Sequence, residues 1–158
     1  MRLTNAFFAN HAEVVDDMLN VTGGCWTSTT VADGSTAFGT RCVIFCEVTR
    51  QDRGKQFGLH IDAAGPTGQQ WTPARSSYFT VPSQIAFMVT PPIALPIEPN
   101  GGMHVYTVRL EDHEERIPLS LHVQVVAGSA FPSHLLAMFC AAPATVLLLA
   151  RCPRRNLC

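Results

Sequence analysis

Two pairs of polar residues in the sequence contain the residue types from which a hydrolytic site is built. His60 and Asp62 are two residues apart, and so are Ser120 and His122. If the two pairs lie on neighbouring strands, a serine, a histidine and a carboxylate could converge as nucleophile, base and orienting group. The chain lacks the Gly-x-Ser-x-Gly turn that presents many catalytic serines. We therefore expect solvent-facing polar side chains and no catalytic residue, with a hydrolase or metal-dependent enzyme as the alternative.

Residues that could bind a metal occur in two short clusters, His11 with Glu13 and the acidic stretch 112–115. Neither cluster has the His-Glu-x-x-His spacing of a helical zinc site, and the sequence has no Cys-x-x-Cys pair. Cys42 and Cys46 would lie about 13 Å apart on a strand, too far for a disulfide or a shared zinc ion. The sequence predicts no metal site. Since it also lacks a glycine-rich phosphate loop, we predict no cofactor.

Three side chains are candidates for ligand binding. Trp26 and Trp71 could stack on a sugar or a base if they were exposed together, because an aromatic face is a platform that tolerates many ligands. His60 is the third candidate. A lone tryptophan in a β domain more often fills the core, so the sequence leaves the binding residues open.

The elements that must position these side chains are strands. Residues 57–63 and 117–125 alternate between apolar and polar side chains, which is the period of a strand with one buried and one wet face. Residues 41–48 contain apolar side chains on both faces and predict a central strand covered from both sides. Together these patterns predict an all-β fold, an antiparallel β-sandwich of about eight or nine strands.

Turn residues divide the chain between the strands. Asp16 and Asp17 mark the turn of a first hairpin, and Asp33 with Gly34 marks another turn. Pro73 favours an edge position, because proline cannot donate a hydrogen bond to a neighbouring strand.

Charge is distributed unevenly along the 158 residues. The chain has a formal net charge of −1, which gives no electrostatic reason to expect nucleic acid as a partner. The first 129 residues hold 8 basic and 12 acidic side chains, whereas the rest hold three arginines and no acid. We therefore predict a β-sandwich domain at 1–128 and an apolar, basic carboxy-terminal tail at 129–158.

The tail contains sixteen uncharged residues at 135–150, interrupted by Pro143. This length is short for a membrane span, which needs about twenty apolar residues. Three interpretations stay open: a marginal membrane anchor, an apolar helix that covers a sheet, or a segment with no selected function. The apolar run at the amino terminus is too short for the core of a signal peptide, so we expect a cytoplasmic protein whose six cysteines are reduced.

The amino-terminal hairpin resembles a known group of sequences. Residues 9–14 (Ala-Asn-His-Ala-Glu-Val) and 19–26 (Leu-Asn-Val-Thr-Gly-Gly-Cys-Trp) are similar to the start of a family of uncharacterised bacterial proteins. The turn at 66–68 (Pro-Thr-Gly) and the closing pair of strands are similar too, so the likeness covers about residues 1–128. The resemblance implies a small all-β domain with no assigned activity, and it transfers no catalytic residue.

These observations favour a non-enzymatic β-sandwich module that binds a protein or a small ligand through an edge strand or end loops, where such domains usually bind. The two alternatives are a hydrolase or metal-dependent enzyme on the same sandwich, and a β domain tethered to a membrane through 135–150.

Overall fold

The computed structural model describes residues 1–81, 85–127 and 148–151, with the backbone alone described in the last range. These residues form eleven strands and one short 3-10 helix, Arg50–Asp52, and no α-helix occurs among them. The all-β prediction is confirmed. The strands are β1 (Arg2–Val15), β2 (Met18–Gly24), β3 (Ser28–Ala32), β4 (Ala37–Glu47), β5 (Gln56–Ala64), β6 (Gln70–Thr80), β7 (Ile85–Val89), β8 (Ile93–Pro96), β9 (Gly102–Leu110), β10 (Arg116–Val126) and β11 (Leu148–Arg151).

The strands form two sheets. Sheet 1 has the order β11-β7-β4-β1-β2, and β8 pairs with the first residues of β4. Sheet 2 has the order β3-β10-β9-β5-β6. Neighbouring strands run antiparallel, as predicted, except that β3 pairs with β10 in parallel. The alternation of side chains did not indicate that parallel pair, because a period of two is the same in both pairings.

The main core lies between the sheets and is built from the apolar positions of the alternating strands. Leu59 on β5 and Leu121 on β10 are 2% and 0% exposed, as the alternation predicts. Because successive side chains of a strand point to opposite faces, the polar residues between them lie on the outer face of sheet 2. The largest fully buried side chains are Tyr106, Ile44, Ile85, Met88, Leu95, Leu110, Leu121, His104, Val43, Val81, Val89 and Val108.

Strand β4 is central and covered on both faces, which confirms the prediction for 41–48. It lies between β1 and β7 in sheet 1. Cys42 and Ile44 belong to the main core, whereas Val43 joins a second buried cluster with Ala9 and Val89. The apolar residues on both sides of this strand therefore reflect two packed faces.

The first hairpin turns at Asp16 and Asp17, as predicted. Val15 pairs with Met18, so the loop has two residues, and both aspartates have positive φ, 51° and 60°. Two positive φ values in a two-residue loop are typical of the type I′ turn, whose twist matches that of the flanking strands.

The carboxy-terminal region contributes one described strand, β11, which pairs antiparallel with β7 at the edge of sheet 1. The other residues after 127 lie outside the described residues, and so do most of the apolar positions 135–150. The boundary at 128 and the three interpretations of the tail therefore stay predictions. Within the described parts of the chain, no helix is long and apolar enough to cross a membrane.

Candidate functional site

His60 lies on the outer face of sheet 2, but its side chain is buried. The expectation of a solvent-facing histidine is wrong, since the residue is 7% exposed. Its Nδ1 lies 2.8 Å from Ser76 Oγ on β6, and its Nε2 lies 3.9 Å from a carboxylate oxygen of Glu111. The ring of Tyr78 packs edge-on against the imidazole, with centroids 6.2 Å apart. Side chains of neighbouring segments therefore cover the histidine.

Glu111 and Tyr78 can pack over His60 because the neighbouring position 58 is a glycine. A Cβ at Gly58 would clash with the carboxylate of Glu111 and would lie 3.1 Å from the ring of Tyr78. Gly58 pairs directly with Tyr78 across β5 and β6, and its carbonyl accepts the backbone N–H of Glu111. The missing side chain thus leaves the space that these two residues fill.

The contact between Ser76 and His60 has the geometry of a nucleophile and its base. The serine hydroxyl can donate to an unprotonated Nδ1 at 2.8 Å. The third group is less well placed, because the 3.9 Å to Glu111 exceeds hydrogen-bond distance. Ser76 also lies within a regular strand rather than in a shaped turn. The site therefore contains the serine and histidine of a catalytic triad, but its carboxylate does not form a hydrogen bond to the histidine.

Asp62 and Arg109 form an ion pair next to His60. Arg109 Nε donates to Asp62 Oδ2 at 2.7 Å, and Nη2 donates to Oδ1 at 3.3 Å. This two-point contact is the strong geometry for a guanidinium and a carboxylate. It raises the pKa of Arg109 above its ordinary value, chiefly through the hydrogen bond to Asp62. The pair fixes both side chains across β5 and β9.

A cleft of about 390 Å³ opens beside this ion pair and spans sheet 2 from β6 to β10. The volume lies at the lower end of the range for small-molecule sites. Its lining contains both polar and small apolar residues. Its lining residues are Asp62, Ala63, Ala64, Gln70, Thr72, Val105, Thr107 and Arg116.

Ser120 and His122 do not join His60 and Asp62. Strand β9 lies between β5 and β10, so the two pairs are separated by two strand spacings, or about 10 Å. Ser120 pairs with Val105 and is exposed, as is His122. The hydrolase alternative required these four side chains on adjacent strands, and the topology does not provide that arrangement.

The two tryptophans do not form a shared platform. Trp26 packs against Phe8 and Phe38, with ring centroids 5.6 and 6.0 Å apart, and its Nε1 is buried without a described partner. Trp71 is half-buried against the main core from β6. Since Trp26 directly precedes β3, the two rings belong to opposite edges of sheet 2. None of the three binding candidates lines the cleft, although His60 is two residues from Asp62 and Trp71 lies between the lining residues Gln70 and Thr72.

The short metal-binding clusters do not assemble in the structure. His11 Nε2 lies 3.7 Å from Glu13, and His113 Nδ1 contacts the backbone carbonyl of Glu111. Over residues 1–81, 85–127 and 148–151, no three histidine, cysteine or acidic side chains converge to hold a metal.

The described cysteines are free thiols. Burial raises the pKa of Cys42 to about 12 and the pKa of Cys46 to about 11, so both are protonated at neutral pH. Cys25 is exposed, and Cys140, Cys152 and Cys158 lie outside the described residues.

Sequence reasoning missed Ser76, Arg109, Glu111 and Arg116 at this site, and it singled out no residue of the cleft lining except Asp62. The signal that could have placed Arg109 is the alternation of 102–110, in which Val105, Thr107 and Arg109 share one face. The pairing of β6 with β5 is what brings Ser76 to His60, and the alternation within a strand does not specify its partner.

No protein-family model matches this chain, and no curated protein matches it either. The resemblance to the uncharacterised bacterial family therefore stays a prediction.

Proposed function

We propose that the protein is a non-enzymatic β-sandwich module of the bacterial cytoplasm that binds a small polar ligand in the cleft on the outer face of sheet 2. The observation that carries the proposal is the 390 Å³ cleft, with the carboxylate of an ion pair on one wall and, on another, the guanidinium of Arg116, which no carboxylate of the described residues contacts.

The groups around the cleft support this function because neighbouring contacts already hold them in place. Two hydrogen bonds from Arg109 fix Asp62 in the cleft wall, and the other lining residues lie on the paired strands of sheet 2. A site built on regular strands and fixed by such contacts pays little ordering entropy when a ligand binds. The two buried thiols, protonated at neutral pH, suit a reducing compartment.

Filling the cleft tests the proposal. We expect Ala64→Trp to abolish binding, since Ala64 lines the cleft and a tryptophan there would occupy it. Gln124→Trp is the matched control, because Gln124 is an exposed residue of β10 outside the lining. Saturation-transfer NMR with a mixture of small polar metabolites gives the readout. A mixture that yields no signal with the wild-type chain, or the same signals with Ala64→Trp, contradicts the proposed function.

The hydrogen bond between Ser76 and His60 favours a second candidate, a serine hydrolase with Ser76 in the place expected for Ser120. In that function Ser76 Oγ would attack an acyl or phosphoryl centre while its proton passes to His60 Nδ1. A fluorophosphonate probe tests this, because attack on phosphorus expels fluoride and labels the serine. Labelling that is lost in Ser76→Ala and retained in Ser120→Ala would support the hydrolase. Absence of labelling rejects it.

A further inference from the structure

We propose that the ligand of the cleft is a small organic acid whose carboxylate is bound by the guanidinium of Arg116. The inference rests on the proposed function and specifies the chemistry of its ligand.

Two arginines lie on neighbouring strands beside the cleft. Arg116 at the start of β10 pairs directly with Arg109 on β9, so the two arginine side chains project from the same face of the sheet. Like charges at such directly paired positions repel. Asp62 is the one carboxylate in the lining, and both of its oxygens are used by Arg109. Among the lining residues, Arg116 therefore carries the one charge that no carboxylate of the described residues contacts.

Most N–H donors of the Arg116 guanidinium have no partner among the described residues. Its Nη1 donates to the carbonyl of His113 at 3.2 Å, and no carboxylate of the described residues forms an ion pair with it. A guanidinium has five N–H donors in a planar fork that matches the two oxygens of a carboxylate. A bound carboxylate would fill this fork and offset the repulsion between the two arginines.

The rest of the lining suits hydroxyl or amide groups on the same ligand. Gln70, Thr72 and Thr107 can each donate and accept a hydrogen bond, and Ala64 and Val105 add apolar surface. The volume favours a molecule of a few carbon atoms or a single sugar ring over a larger one.

Matched pairs of probes separate the carboxylate from the rest of the molecule. The probes are acetate, succinate and D-galacturonate, each compared with its neutral counterpart: acetamide, succinamide or D-galactose. Amide chemical shifts of Gln70, Thr107 and Arg116 are followed during each titration. We expect saturable shifts with at least one acid and at least tenfold weaker binding of its neutral counterpart, since a two-point charged hydrogen bond carries about that factor.

Variants of Arg116 identify the group responsible. Arg116→Gln removes the charge at an exposed strand end, so we expect it to fold and to weaken binding of the acid about tenfold or more. Arg116→Lys keeps the charge without the fork and should bind with intermediate affinity. Arg53→Gln, at an exposed arginine outside the lining, is the control.

The outcomes separate this inference from the proposed function. If an acid and its neutral counterpart bind alike, or if Arg116→Gln binds the acid as tightly as the wild type, the carboxylate inference is overturned while the cleft remains a binding site. If none of the three acids shifts the cleft amides, the inference is overturned as well. The Ala64→Trp comparison then decides separately whether the cleft binds any ligand.

Discussion

At the scale of single residues, a fully buried histidine that the sequence analysis did not single out links two parts of the chain. His104 is 0% exposed, and its Nε2 accepts the backbone N–H of Glu98 at 2.9 Å. Its Nδ1 lies 3.1 Å from the carbonyl of Gly102, which can only accept. The imidazole therefore carries its proton on Nδ1 and links the two ends of the segment 98–102.

We predict that His104→Ala lowers the free energy of unfolding by about 2–4 kcal/mol, because it leaves a buried N–H and a carbonyl unpaired and opens a cavity. Urea denaturation measures the change. His122→Ala on the exposed face should stay within about 0.5 kcal/mol of the wild type. Equal effects of the two substitutions would show that the buried link does not stabilise the fold.

Asp52 is the residue whose charge state couples stability to pH. The amino-terminal ammonium of Met1 lies 2.7 Å from Oδ1, and Thr49 donates to Oδ2 from both its hydroxyl and its N–H. These hydrogen bonds, the ammonium first, hold the pKa of Asp52 well below its usual range. A depressed folded pKa stabilises the protein above the unfolded pKa of about 3.9, and that stabilisation is lost as the pH falls through the folded pKa.

Asp52→Asn should therefore lower the free energy of unfolding by about 1.5–3 kcal/mol at neutral pH, the usual contribution of charged hydrogen bonds. The gap between wild type and variant should shrink as the pH falls below about 4. Denaturation at a series of pH values gives the comparison, with Asp33→Asn at an exposed turn as the control. A gap that stays constant with pH would contradict the role of the ion pair.

At the scale of elements, the turn from β9 to β10 contains a non-glycine residue with positive φ. Asp112 has φ +58°, a left-handed conformation that costs a side-chain-bearing residue about 1 kcal/mol. We expect Asp112→Gly to raise the free energy of unfolding by about 0.5–1 kcal/mol and Asp112→Ala to lower it. Opposite shifts of the urea midpoint would support this account, and a destabilising glycine would contradict it.

Several elements were predictable because their signals are local. The alternation in 57–63 and 117–125 fixed which side chains of β5 and β10 face the core, and Asp16 with Asp17 fixed the first turn. Pro73 predicted an edge, and its strand β6 is one of the two edge strands of sheet 2. Each of these signals lies within a few residues of the structure it determines.

The cleft was not predictable because its contacts join distant parts of the chain. The Asp62–Arg109 pair is 47 residues apart in sequence, and Ser76 meets His60 through a strand pairing that alternation does not specify. The burial of His60 depends in addition on the space left by Gly58. A polar residue on the outer face of a strand is expected to be wet, and here neighbouring side chains cover it.

At the scale of the molecule, the described core residues extend from Leu3 to Val123, and β11 adds a four-residue edge strand to sheet 1. A chain that ends at Gly128 should therefore fold and unfold cooperatively. The loss of β11 should lower the stability slightly, because it exposes the edge of β7. Near-ultraviolet circular dichroism and urea titration check both points. A truncated chain without fixed tertiary structure would contradict the predicted boundary at 128.

The central claim is that a ligand enters the cleft on sheet 2. Intermolecular nuclear Overhauser effects between the protein and a small polar ligand identified by saturation transfer test it most directly. We predict contacts to the methyl groups of Ala64, Val105 and Thr107, which line the cleft. Contacts confined to the exposed apolar residues of the first hairpin, Val15, Met18 and Val21, would place the ligand on sheet 1 and contradict the account.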